Sequence, residues 1–296
     1  MSSDTVNPAH DTARGPIGDI ARISTDDTHT FFFDHPLDHI PGMLLVDTAL
    51  HRAEYVAARA GRHTTGPLRV RALDLTFNGL CERSSVAFVH LRENGPGGRA
   101  FTLDVRQDEV SLCTGSLQLE PAPQRELFAQ APEHAPGQAP EHGCPRRAPA
   151  ELVHKKSSDN VLIAPLRQTG EHNYTTTMIA PPAGRWPDVH PATVLMEAIR
   201  QTATITSHTA WDIPTDWQYI LMSIRLTLSD TTTWPTAPEL VCHISPLKGR
   251  ARGGIDIGVQ VDGAQAGQMH LKARAVPPAA YRRMREAASK TAEATV

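Results

Sequence analysis

The chain has 296 residues, 40% hydrophobic and 21% charged, enough for one large domain or two ordinary ones with a buried core. A net charge of −3 gives no electrostatic case for a nucleic-acid partner, and no apolar run reaches the roughly 18 to 20 residues that span a bilayer. Cys81, Cys113, Cys144 and Cys242 show no Cys-x-x-Cys spacing, so neither structural zinc nor a redox pair is indicated, and a cytoplasmic protein with reduced thiols is the simplest expectation.

Residues 1–28 begin "MSSDTVNPAHDTARGPIGD", without the charged segment and apolar run of a secretory signal. Their Ser, Asp, Pro, Gly and Thr read as a disordered lead-in. A loop with His35, Asp38 and His39 follows, and then a helix from about Pro41 to Ala60. Proline stands at its first helical position and Gly61 is its stop. This helix is apolar around most of its circumference, so it should be buried. Asp47 nevertheless sits among Met43, Leu44, Leu45, Val46, Ala49 and Leu50. A buried acid is costly unless it is paired or used.

After the helix, "LRVRALDLTFNG", "SSVAFVHLREN", "RAFTLDVRQD" and "EVSLCTGSLQLE" are rich in β-branched residues and separated by turn signals. They predict an antiparallel meander. Residues 121–150 repeat Ala-Pro-Glu-His and are dense in proline, with little to bury, which marks a linker. His154, Lys155 and Lys156 then form a basic cluster, read either as a solvated surface or as a landing point for an acidic carrier protein or a phosphate.

The second part follows the plan of the first. "PATVLME" (191–197) matches "PGMLLVD" (41–47), and "SIRLTL" (223–228) matches "ALDLTF" (72–77). Two matches in the same order at nearly equal offset point to duplication. The second helix is expected at about 191–210, with strands near 219–228, 238–245, 253–262 and 266–276. The division is 29–120 for repeat 1, 121–150 for the linker, 151–277 for repeat 2 and 278–296 for a short amphipathic helix and tail. One buried helix and a long antiparallel meander, made twice, imply an α+β double hotdog in which each curved sheet wraps a helix.

Several residues carry the candidate chemistry. Glu197, Arg200 and Gln201 share one face of the second helix. They read either as an intrahelical ion pair or as a general acid–base carboxyl raised in pKa by burial, with Arg200 holding a phosphate or thioester end. Asp47 and His51, four apart, read equally as an acid–base couple or a satisfied polar pair. His35 or His39 is placed at a tunnel mouth beside a helix N-terminus, where amides polarise a carbonyl. With no third ligand cluster, no metal is assigned.

"DHPLDHIPGMLL" and "ATVLMEAIRQTA", together with "VHKKSSDNVLI" at 153–163, resemble the A-factor biosynthesis hotdog family. The resemblance extends over most of residues 30–276. It implies an acyltransferase that condenses a β-ketoacyl thioester with a hydroxylated acceptor such as dihydroxyacetone phosphate. Acyl carrier protein or coenzyme A would deliver the acyl group, and no cofactor would be needed. For such a transfer the candidate catalytic residues are Glu197, Asp47 and His39, with Glu197 or Asp47 removing the hydroxyl proton and helix N-terminal amides stabilising the oxyanion, and the candidate substrate contacts are Arg200, Gln201, His35 and His51. A hotdog dehydratase or thioesterase of secondary metabolism, a non-catalytic acyl-binding protein and a homodimer remain open. The second helix keeps Glu-Ala-x-Arg-Gln, whereas the first reads Asp47, Thr48, Ala49, Leu50, His51.

Overall fold

The computed structural model describes residues 18–34, 37–59, 68–95, 98–121, 146–182, 184–229, 238–244 and 252–293, the side chains of 252–253 and 288–293 excepted. Strands β1 (Gly18–Arg22) and β2 (His39–Ile40) precede helix α1 (Gly42–Arg59). Strands β3 (Leu68–Phe77), β4 (Cys81–Glu82), β5 (Ala87–Glu93), β6 (Ala100–Gln107) and β7 (Val110–Pro121) complete the first half. The second half opens with short 3₁₀ turns at Ala150–Val153 and Ser158–Asn160, then β8 (Arg167–Gln168), β9 (Asn173–Thr177) and α2 (Pro191–Trp211). Strands β10 (Gln218–Leu228), β11 (Glu239–Ile244), β12 (Arg252–Val261) and β13 (Ala264–Val276) and helix α3 (Pro278–Glu293) end it.

Local chemistry sets the element ends. His190 caps α2, its Nδ1 accepting the Ala192 N–H at 3.1 Å, and Pro191 follows at the first helical position. Asp212 ends α2 with a left-handed φ of 51°. The β12–β13 hairpin turns on Asp262 and Gly263, both at positive φ, as a two-residue turn of matching twist requires.

Eleven strands form one sheet in the order β1-β5-β6-β7-β3-β10-β13-β12-β11-β9-β8. The strand pairings among the described residues are antiparallel, the junction of the two halves included, and β2 pairs separately with β4. The halves join where β3 meets β10, the two stretches whose sequences match. Asp74 lies opposite Arg225 in that pairing and accepts its Nε at 2.8 Å. Those two residues occupy equivalent positions of the repeat, so the pseudo-twofold axis passes between them. Duplication has let a position that would face its own copy in a homodimer become an opposite-charge pair. Helices α1 and α2 bury Leu50, Leu195, Met196 and Ile199 against Leu73, Leu75, Phe101, Leu117 and Ile224, all in one continuous core. The architecture is the α+β double hotdog.

Three expectations need correction or placement. Part of the segment expected to be a disordered lead-in is a strand: β1 pairs with β5, and Asp19 takes the Arg52 guanidinium of α1 at 2.6 Å. A sheet edge supplies the hydrogen bonds that its unremarkable composition did not advertise. Strands β8 and β9 precede α2 although no strand was expected there; "NYTTT" is held by pairing with β11. Of the proline-rich linker, 122–145 lie outside the described residues, as do Gly61 and Cys144. Cys81, Cys113 and Cys242 are free thiols that burial pushes up to about 12, which makes them poor nucleophiles. No helix among the described residues is long and apolar enough to cross a membrane.

Candidate active site

A cavity of about 150 Å³ opens where α1 begins and passes between the halves to α2. Phe31, Phe32, Ile40, Phe77, Ile220 and Leu221 are among its apolar walls. Its polar lining includes His39 from the first half and Lys155, Glu197, Arg200 and Tyr219 from the second. The first turn of α1 contributes Gly42 and Met43. The leading amides of a helix have no intrahelical acceptor, and the helix dipole makes that end partly positive. Gly42 packs closely there: a Cβ would lie 3.3 Å from the Phe77 ring, which would have to give by a few tenths of an ångström, and 3.5 Å from Leu221.

Glu197 is 3% exposed. Arg200 grips it bidentately, Nε to Oε2 at 2.7 Å and an Nη to Oε1 at 2.8 Å. Gln201 donates to Oε1 at 3.1 Å, and the Lys155 ammonium lies 3.1 Å from the same oxygen. Burial by itself would raise this carboxyl. The Arg200 and Lys155 charges, with hydrogen bonds from Arg200 and Gln201, outweigh it and hold Glu197 well below the usual carboxylate range. The expectation of a general base or acid raised in pKa by burial is thereby corrected: Glu197 is held as an anion with little affinity for a proton. Burial opposes the charge on Arg200 too, but Glu197 keeps it raised above its ordinary value.

Lys155 is also corrected as a surface residue. Its side chain is 5% exposed, and Nζ donates to the Phe31 carbonyl at 3.2 Å as well as facing Glu197. Asp34 arranges this corner, accepting the Lys156 N–H at 2.7 Å and the Asn160 side-chain amide at 2.7 Å. The His154 Nε2 lies 3.1 Å from that of His208. No sequence signal singled out Phe31; Asp34 opens the "DHPLDHIPGMLL" stretch and Lys155 lies in both the basic cluster and "VHKKSSDN", but neither pointed to the Glu197 carboxylate.

His39 is the described histidine that lines the cavity. Its Nδ1 lies 2.8 Å from Asp38 Oδ1, and Nε2 makes no hydrogen bond among the described residues. His35 lies outside the described residues. Gln201 is fully buried, binding the Leu162 N–H at 2.8 Å and the Asn160 carbonyl at 2.9 Å, and does not line the cavity. It therefore shapes the loop behind Glu197 and does not reach this cavity's contents. Arg200 does line it, but its fork is already bound to Glu197.

Asp47 is 6% exposed yet absent from this cavity. Its Oδ1 accepts the backbone N–H of His190 at 2.9 Å, and Oδ2 lies 3.5 Å from His51 Nε2. His51, with its side chain 45% exposed, also faces the Asp188 carbonyl at 3.0 Å. His190 Nε2 meets Glu54 of α1 at 3.2 Å. The two α1 acids thus clasp the start of α2. Among the described residues no three His, Cys, Asp or Glu come together in a metal-ligating group.

Comparison with solved structures places the fold. A pyran synthase domain from module nine of the sorangicin pathway aligns at TM-score 0.56 and 18% identity, covering 94% of this chain and 99% of that one. A dehydratase domain of the curacin polyketide synthase aligns at TM-score 0.55 and 15% identity, covering 92% and 96%. A bifunctional dehydratase-cyclase domain in ambruticin biosynthesis gives TM-score 0.52 and 16% identity, covering 90% and 93%. No match was found among curated proteins. The model of the A-factor biosynthesis hotdog domain matches residues 3–123 and 137–277, and with two copies of that domain spanning most of its length the chain belongs to the A-factor biosynthesis hotdog family.

Proposed function

We propose that the protein is an acyl-thioester enzyme whose reaction is acyl transfer from a β-ketoacyl thioester to a hydroxyl group. The acceptor would be a small polyol phosphate of the dihydroxyacetone phosphate kind, with the acyl group carried on acyl carrier protein or coenzyme A. The observation that carries this reading is one apolar cavity holding three features: the uncommitted Nε2 of His39, the first amides of α1 and the ionised Glu197.

In this reading the thioester carbonyl lies at the start of α1, where the Gly42 and Met43 amides stabilise the oxyanion. His39 Nε2 takes the proton of the attacking hydroxyl. The new C–O bond forms, the C–S bond breaks, and the imidazolium returns the proton to the departing sulfur. Glu197, held as an anion by Arg200 and Lys155, accepts hydrogen bonds from acceptor hydroxyls and favours the transient imidazolium. The steps of this chemistry call on no metal or redox cofactor.

Dehydration is the second reading, because the fold is shared with polyketide dehydratase domains. It requires a group that protonates a leaving hydroxyl, and a carboxyl held far below its ordinary range is a poor donor. Incubation with β-ketoacyl and β-hydroxyacyl thioesters, with and without dihydroxyacetone phosphate, separates these outcomes by product mass. An acylated acceptor formed only when the phosphate is present is the expected result. An enoyl product would establish dehydration, a free acid would establish hydrolysis, and no product beside measurable thioester binding would leave an acyl-binding protein.

A further inference from the structure

Helix α3 reaches back across the molecule to the loop that carries His39. Tyr281 and Arg285, one turn apart, present one face of it. The Tyr281 hydroxyl donates to Asp38 Oδ1 at 2.6 Å, and Arg285 Nε donates to Asp38 Oδ2 at 3.0 Å. Arg285 also reaches the Asp38 carbonyl at 3.2 Å and Glu82 Oε2 at 2.6 Å. Glu82 is the β4 residue paired with His39 in the two-stranded sheet. The remaining contact of Asp38 Oδ1 is His39 Nδ1 at 2.8 Å, and the Tyr281 oxygen lies 3.3 Å from that nitrogen.

Donor and acceptor accounting fixes the protons. Desolvation would raise the Asp38 carboxyl, but the Tyr281 hydroxyl, His39 and Arg285 together hold it below the ordinary range, so it is an acceptor. Burial first, and Asp38 second, push the Tyr281 phenol up, so it remains a donor. A carboxylate facing Nδ1 selects the tautomer with its proton on Nδ1 and leaves the Nε2 lone pair bare.

We propose that Asp38, Tyr281 and Arg285 form a positioning relay through which the C-terminal helix fixes the ring orientation and tautomer of His39, so that Nε2 faces the cavity as a base. The relay rests on the reading of His39 as the base of acyl transfer. It gives the amphipathic tail a role in the chemistry, since the last helix of the second half completes a site whose histidine belongs to the first.

The test uses the full chain with ¹⁵N-labelled histidine, the His39 signals being assigned by their loss in His39→Gln. In the neutral wild-type ring the bare nitrogen is expected to be Nε2. In Asp38→Asn, Arg285 Nε still requires an oxygen at the Oδ2 position, so the amide nitrogen falls opposite Nδ1 and turns the ring to the Nε2–H tautomer. Turnover should then drop roughly 10²- to 10⁴-fold in kcat, with KM little changed. Tyr281→Phe removes one oxygen and keeps the packing; about a tenfold loss in kcat is expected, alongside the modest fall in melting temperature that losing one bond to a carboxylate brings. A structural role for α3 alone would give that fall in melting temperature and leave kcat in place. A wild-type ring with its proton on Nε2, an Asp38→Asn ring with the wild-type tautomer, or Tyr281→Phe at wild-type kcat would each overturn the relay. Failure of the wild-type protein to turn over any acyl thioester would overturn the functional reading instead, and the tautomer measurement would still decide whether the relay exists.

Discussion

Asp47 on α1 and Glu197 on α2 are equivalent residues of a duplicated plan, and they do different work. Glu197 faces a cavity and is held by Arg200, Lys155 and Gln201. Asp47 is bound to the His190 amide at the start of α2. Where α2 has Arg200, α1 has Leu50, which is 0% exposed in the core. The helix starts differ in the same sense. Gly42 and Met43 open on the cavity, while His190 folds its own ring back to cap α2 and is clasped by Asp47 and Glu54. One copy has kept an open, charged end; the other has become a joint.

Breaking the comparison at its chemical end should give the largest effect. His39→Ala is expected to lower kcat/KM by roughly 10²- to 10⁴-fold, with circular dichroism and melting temperature nearly unchanged. His51→Ala, in the joint, should cost less than about tenfold. Equal losses in the two variants would mean that the joint also reacts.

The two acids should differ in stability. Glu197→Gln leaves Arg200 and Lys155 buried without their anion and should cost about 3–5 kcal/mol by urea unfolding. Asp47→Asn loses a charge-assisted acceptor for one backbone amide and should cost about 1–3 kcal/mol. The reverse order would refute the division into site and joint.

Acid sharpens that contrast. The folded Glu197 carboxyl binds its proton more weakly than the unfolded one, whose ordinary value is 4.5. Its stabilisation is therefore complete above that pH and fades as pH falls below it. Melting temperatures from pH 6 down to about 3 should fall more steeply for the wild type than for Glu197→Gln. Parallel curves would show that the carboxylate is not held by its cations.

The Leu50 position provides the last comparison. Leu50→Ala should cost about 2–5 kcal/mol through the void it leaves, while KM for an acyl thioester stays within about twofold. A large rise in KM would place α1's core face in the substrate path.

Much of this plan was legible in the sequence. Proline-started apolar helices bury most of their surface whatever surrounds them, so α1 and α2 lie close to their expected ends. The alternating strands of both meanders did the same, because a half-buried strand repeats every two residues. β1 and β9 were not legible: each gains its conformation from a neighbouring strand and carries little pattern of its own.

The sequence by itself determined the duplication and the α+β double hotdog, and it put Glu197, Asp47 and His39 forward as candidates without a means of choosing among them. Periodicity and repeated motifs are local properties, and they survive without knowledge of any contact. Only the tertiary structure decided which half supplies which part of the site. It brought His39 to the cavity of Glu197, buried Lys155 beside that carboxylate, lowered a pKa expected to rise, and set α3 against Asp38. Charge, tautomer and proton affinity depend on what stands within a few ångströms, and here those neighbours come from opposite ends of the chain.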